Sequence, residues 1–478
     1  MPTFKLSAVT VKKSISAHSS LALAFAAFLY LICLTGTLAV FFEEFERWEQ
    51  PTIEETIHYS PQQIKTSLKN FQQRAPEIAK TIWVVLPTKA VPRMHISNGE
   101  QEWFVNADGS LSEPPLESWT AMLTKLHMQF HLPQNIGLIW VGILGVILLS
   151  LILSGIFSHP NLFKDAFSWR TKRGVLSKVD YHNRLSVWAL PFYIMIAFTG
   201  AFTALMGLFS VLSASLFYEG DNEAMLESIY SGDPTITMAA STLNFTEAFQ
   251  VLKTLKPEAQ PIYLAIQNMN TDQQYFEIAA TLPQRLIYSE MYRFQADGSY
   301  IGNQGFSDGS IGKQIAYSVY RLHFGHYAGF WVKVIYALLG LALTLVCTSG
   351  VNIWLAKRKH RDMFNDLWLA IVWGLPLALS TSALLSIFKL PPLPVFCTIL
   401  ISAIAFSVFM NNPIKTRWIF IILIISSLLM IVASTEYRYR NENLSDIFHW
   451  LNSCILGVSC LLGYYLFKQY RHLNNQQI

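Results

Sequence analysis

Eight apolar runs punctuate the chain, each long enough to approach or exceed the length needed to cross a bilayer core of roughly 30 Å as a helix. They lie at about Ser19–Phe42, Ile136–Phe157, Leu185–Phe217 and Phe330–Leu355, and then at about 366–388, 394–411, 418–434 and 446–467. Long polar inserts separate the first run from the second and the third from the fourth. Within the first insert, Pro61–Arg74 has helical spacing, while Thr81–Leu86, Arg93–Ile96 and Glu102–Asn106 alternate as strands do. The second insert repeats this, with a helix over Phe245–Lys256 and strands at Ile262–Gln267, Gln274–Ala279 and Met291–Gln295. The pattern predicts an all-α polytopic membrane protein bearing two small α+β modules outside the membrane.

The first four runs form a duplicated unit of apolar span, polar insert and apolar span. His18 stands at the mouth of the first run and Thr35-Gly36 follows; His182 stands before the third, with Thr199-Gly200 at the same separation. The turn Ala107-Asp108-Gly109-Ser110 recurs as Ala296-Asp297-Gly298-Ser299, and Ser154-Gly155 closes the second run as Ser349-Gly350 closes the fourth. The remaining four runs have no counterpart. The expected divisions are 1–42 (N-terminus and span 1), 43–125 (first module), 126–217 (spans 2 and 3), 218–320 (second module), 321–361 (span 4) and 362–478 (a four-span extension).

Composition agrees, at 52% hydrophobic and 14% charged residues with a mean hydropathy of +0.33. Short cytoplasmic loops carry an excess of Lys and Arg. That places inside the N-terminus with Lys5, Lys12 and Lys13, the loop with Lys164, Arg170, Lys172, Arg173 and Lys178, the run Lys357-Arg358-Lys359-His360-Arg361, and a C-terminus with Lys468 and Arg471. The first run is too long for the core of a signal peptide and is read as a retained span. Pro191 is expected to kink span 3. The five cysteines all fall in or beside apolar runs and read as small buried hydrophobes.

Histidines supply the chemistry, because ionisable groups at membrane depth are costly and mark function. His18 and His182 open spans 1 and 3 at the cytoplasmic face, while His127, His131, His323 and His326 precede spans 2 and 4 at the outer face. A neutral imidazole is a common axial ligand of haem iron, and bundles hold cofactors between facing helices. One pair near each face would hold two haem b groups and make an electron path across the bilayer. Interfacial packing is the competing reading for any single ring. Alignment on the Ser-Gly pairs superposes His131 on His326, whereas a one-residue shift superposes Leu126-His127 on Leu322-His323. His449 reads as a packing residue, and His58, His95, His159, His360 and His472 as surface.

The motifs Leu126-His127, Asp180-Tyr181-His182-Asn183-Arg184 with Thr199-Gly200, and Tyr320-Arg321-Leu322-His323-Phe324-Gly325 with Gly329 resemble the PepSY-associated transmembrane family of bacteria, over about residues 12–358. The resemblance implies PepSY-like modules in the periplasm, residence in the inner membrane and haem ligation by His18, His127, His182 and His323. It also implies an oxidoreductase of the ferric-siderophore reductase type. The iron substrate would be a ferric siderophore or another chelate, and the electron donor a quinol or a cytoplasmic reductant. His131, His326 and the four-span extension depart from the commoner pattern.

No nicotinamide or flavin fingerprint is visible; the glycines of Ile301–Gly312 read as a loop, and nothing points to nucleic acid. Two alternatives compete: a membrane anchor whose modules bind or regulate a partner, and a siderophore or iron transport component without redox activity. The usual sign of a transporter is a broken helix with charges at mid-membrane, and the mid-span regions here hold none. The charge bias gives a direct test of topology. A reporter inserted near Gly298 should behave as periplasmic and one fused after Ile478 as cytoplasmic; a cytoplasmic signal at Gly298 would overturn the orientation.

Overall fold

The computed structural model describes residues 7–75, 80–115, 118–159, 174–237, 242–442 and 444–475. The basic residues Lys164, Arg170, Lys172 and Arg173 lie outside them, as do Lys5 and Ile478. In chain order the elements are α1 (Ala8–Ala39), α2 (Phe42–Glu49), α3 (Pro61–Arg74), β1 (Thr81–Val85), β2 (Met94–Ser97), β3 (Glu102–Val105), α4 (Trp119–Gln129) and α5 (Gln134–Ser158). Then come α6 (Val175–Trp188), α7 (Leu190–Phe217), α8 (Asn222–Tyr230), α9 (Phe245–Leu255), β4 (Gln260–Gln267), β5 (Tyr275–Thr281), β6 (Glu290–Gln295) and β7 (Tyr300–Asn303). The chain closes with α10 (Ile311–Phe324), α11 (Phe330–Lys357), α12 (Met363–Ile387), α13 (Pro392–Met410), α14 (Pro413–Arg438) and α15 (Asp446–Asn474). Eight of these helices, α1, α5, α7 and α11 to α15, are long and apolar enough to cross a membrane among the described residues.

Two compact units divide the chain. One holds Met1–Pro51, Glu117–Ala204 and Phe330–Ile478, and the other Thr52–Leu116 and Leu205–Gly329. These bounds differ from those expected from sequence. Helices α2 and α4 belong with the apolar helices, because Glu49 at the end of α2 accepts the Trp119 and Thr120 amides at the start of α4 (2.8 and 3.1 Å). Burial raises the Glu49 carboxyl above its usual range. Helix α10, with His323, belongs to the second unit.

In the helical unit, α1 begins well before the apolar run. Ser7 caps it by accepting the Thr10 amide, so His18 stands inside the helix and not at its mouth. Span 3 is broken at Ala189: Pro191 has no amide to continue the ladder, and α7 restarts at Leu190, which leaves His182 on the separate helix α6. The extension α12–α15 is stitched to the duplicated part by indole and phenol donors. Trp119 Nε1 donates to the Leu379 carbonyl (3.1 Å), Trp48 Nε1 to Asn452 Oδ1 (3.0 Å) and Tyr30 Oη to the Val372 carbonyl (2.7 Å).

In the second unit the two inserts form one antiparallel sheet of order β3-β2-β1-β4-β5-β6-β7, where the sequence pattern suggests two modules. The join is β1 against β4, from Thr81 opposite Gln267 to Val85 opposite Tyr263. Helices α3 and α9 cover one face, with Ile64, Phe71, Phe245 and Leu252 packed on Val84, Ile96, Leu264, Phe276 and Phe294. Tyr300–Asn303, read from sequence as loop, is the edge strand β7. His95, expected at the surface, retains 22% side-chain exposure and faces Glu102 (3.2 Å); burial draws its pKa down to about 4.

The repeated Asp-Gly turns are packing sites. Gly109 (φ +84°) and Gly298 (φ +91°) take left-handed backbone, and a Cβ on Gly298 would lie 2.7 Å from Glu247 Cβ and 2.8 Å from the Asn244 carbonyl oxygen. Gly298→Ala should therefore cost about 1–3 kcal/mol of sheet-unit stability, read by pulse proteolysis of the full chain. Gly312→Ala, which meets no atom within 4 Å, should be near neutral. Equal resistance of the two variants would contradict the packing.

Candidate functional site

Two histidines of the duplicated part are held by the same construction. His18 Nδ1 lies 3.0 Å from the Leu151 carbonyl and 3.1 Å from Ser154 Oγ on α5. His182 bonds the Val346 backbone and lies 2.9 Å from Ser349 Oγ on α11. A carbonyl oxygen only accepts, so the ring nitrogen facing it carries the proton. A Cβ on Gly155 would sit 3.5 Å from His18 Cε1, and one on Gly350 would sit 3.5 Å from His182 Cε1. Each Ser-Gly pair thus gives a hydroxyl and a gap for the ring edge. The two rings lie within electrostatic range of each other.

His127 is anchored on a third helix. Its Nδ1 lies 3.1 Å from the Ile32 carbonyl and 3.4 Å from Thr35 Oγ1. The ring covers Gly36 so closely that an added Cβ would meet His127 Cε1 at 2.6 Å. The Thr-Gly pair after span 1 is therefore the seat of this ring. His127 occupies the last turn of α4, which closes on Phe130 in left-handed backbone (φ 52°). His131 follows, also at positive φ (55°), and its Nε2 bonds the Met122 carbonyl at 2.9 Å. That bond ties His131 back onto α4.

His323 and His326 lie in the second unit. His323 is in the last turn of α10, which Gly325 ends in left-handed backbone (φ 71°). The glycine of Leu-His-Phe-Gly is thus a helix stop. His326 follows it, and its carbonyl accepts from Arg321 Nε (2.5 Å), whose Nη1 also holds the Arg285 and Ile287 carbonyls (2.8 and 3.0 Å). Both registers have a structural counterpart: His131 and His326 each stand one residue past a left-handed cap, and His127 and His323 each stand in the turn before it. The helix end differs by one residue between the copies.

Beside His182 lies a cavity of about 890 Å³. Ser349, the partner of His182, forms part of its wall with Lys178, Tyr181, Asn352, Asn365 and Arg417. Asn365 and Arg417 come from α12 and α14, so the extension completes this wall.

Several contributors escape a reading by residue type. The carbonyls of Leu151, Val346 and Ile32 carry no side-chain signal. Ser154-Gly155 and Ser349-Gly350 are visible as repeat marks, but their role as seats for rings emerges only in three dimensions. Lys333, with Nζ 2.6 Å from Glu43 and 2.8 Å from Glu44, ties α11 to α2 as a buried ion cluster. His449 is 60% exposed, 4.0 Å from Glu436.

An eight-helix polytopic core, built on a duplicated two-span unit and joined in the chain to a sheet-bearing unit, defines a multi-pass membrane protein. The profile of the PepSY-associated TM region matches residues 15–357, and the chain belongs to that family. The match ends where α11 ends, so α12–α15 lie beyond it. A protein of uncharacterised function from Pseudomonas aeruginosa is 26% identical over 236 residues, covering 46% of this chain and 60% of that relative.

Proposed function

We propose that the protein is a haem-containing electron-transfer protein of the bacterial inner membrane that reduces ferric iron chelates, ferric siderophores among them, in the periplasm. The observation that carries this reading is the twofold repetition of one ring seat, His18 on Leu151, Ser154 and Gly155, and His182 on Val346, Ser349 and Gly350. Any buried imidazole needs an acceptor for its N–H, but the same seat built twice also meets the need of an axial ligand, an imidazole whose other nitrogen is fixed by a hydrogen bond to an acceptor.

The residues fit two haem b groups on this argument. His18 and His182 would hold the inner one. His127, oriented by the Ile32 carbonyl and confined by Gly36, would be a ligand of the outer one, and the resemblance of the Leu-His motif assigns the other ligand to His323. His131 is assigned no ligand role, because its Nε2 is bonded to Met122, and His326 none, because the Leu-His register pairs His127 with His323. Bound haem would supply one-electron transfer between ferric and ferrous iron. The chain's own part is to hold His18, His127 and His182 through Nδ1 and to keep water out with the apolar packing of Leu29, Leu144 and Leu151. A quinol or cytoplasmic reductant would approach through the cavity at Ser349. Reduction to the ferrous state weakens hard oxygen chelators and frees the metal.

His182→Ala should lower haem content by about half and leave the remaining centre's potential nearly unchanged, because axial ligand and burial set it. His127→Ala should do the converse, and His131→Ala should retain full content. Either of the first two should abolish electron transfer across the membrane. Full haem in both, or none in the wild type, would favour a PepSY-bearing anchor, a regulatory binding protein or an iron transport component without redox activity.

A further inference from the structure

We propose that Cys33 and Cys347 are a redox-active pair that closes into a reversible disulfide between spans 1 and 4, with a lipid-soluble quinone as the electron acceptor. The two Sγ atoms stand 3.9 Å apart across the seam of α1 and α11. That seam is tight: a Cβ on Gly340 would lie 2.8 Å from Thr37 Oγ1, and the same hydroxyl bonds the Cys33 carbonyl at 2.6 Å. Closing the bond brings the two Sγ atoms from 3.9 Å to about 2.0 Å.

The surroundings select the partner. Cys33 is buried with Tyr193, Leu343 and Ala189, and Cys347 packs on the same cluster. The remaining thiols, Cys397, Cys454 and Cys460, are exposed on their helices. Charged, water-soluble glutathione has no path into the apolar cluster, whereas a quinone partitions into the bilayer. The step balances as two thiols and one quinone giving one disulfide and one quinol: each thiol loses a proton and an electron, one S–S bond forms, and the quinone takes up both protons and both electrons.

Location gives the pair its consequence. Ile32, whose carbonyl holds His127, immediately precedes Cys33, and Val346, whose backbone holds His182, immediately precedes Cys347. Closing the disulfide fixes the two helices at the points where both rings are anchored. The oxidation state of the quinone pool is thereby written onto the geometry of the inner and outer histidines. The chemistry of the pair itself does not depend on haem.

The test uses the full chain in native membranes, treated with decylubiquinone, blocked with N-ethylmaleimide, digested and analysed by mass spectrometry. The expected result is a Cys33–Cys347 linked peptide from the monomeric band, removed when dithiothreitol is added to the denatured sample, together with an apparent Tm of the folded protein higher than that of the untreated one. The linked peptide should vanish in Cys33→Ala and in Cys347→Ala. Copper phenanthroline serves as a control on geometry. Linkage with copper phenanthroline but not with the quinone would overturn the proposal, as would linkage between copies or no linkage while Cys397 is alkylated.

Discussion

The structure depends on one constraint: an imidazole enclosed by apolar helices must place its N–H against an acceptor, and the backbone of a neighbouring span offers one only where its side chains leave room. A transmembrane helix satisfies its carbonyls internally, so a second donor can reach one only where small residues open the surface. Ser154-Gly155, Ser349-Gly350 and Thr35-Gly36 are such openings, each combining a hydroxyl with an absent Cβ. His18, His182 and His127 occupy them. The positions of α1, α4 and α6 follow from these seats as much as from hydrophobic packing.

The four-span extension makes sense in the same terms. It packs on the side of α1 and α4 with Tyr30, Trp48 and Trp119 donating into it. Trp119 is the first residue of the helix that carries His127, and Glu49 holds the adjoining amides. The extension thus steadies the helix of His127 and, through Asn365 and Arg417, walls the cavity beside His182. It braces the duplicated core while lying outside the family match.

Much of this was legible in the chain because bilayer length and period-two alternation leave strong signals. The eight spans and the helices at Pro61–Arg74 and near Phe245–Lys256 followed from pattern, while the kink expected at Pro191 is a full break at Ala189. Three features did not. The fusion of two inserts into one sheet depends on β1 meeting β4, a pairing between distant segments that no local pattern encodes. The edge strand β7 was hidden by glycines that suggest a loop. The choice between His127 and His131 is ambiguous in the sequence because the two copies differ by one residue at a helix end; His127 bonds the Ile32 carbonyl and His131 the Met122 carbonyl. The ring seats were visible as repeated letters, but backbone acceptors have no letter of their own.

The most direct measurement is the difference spectrum of the detergent-purified wild-type protein, dithionite-reduced minus oxidised, with haem quantified per chain. Two haem b groups per chain, both low-spin as bis-imidazole ligation requires, are predicted. A colourless protein with a native fold would contradict the account.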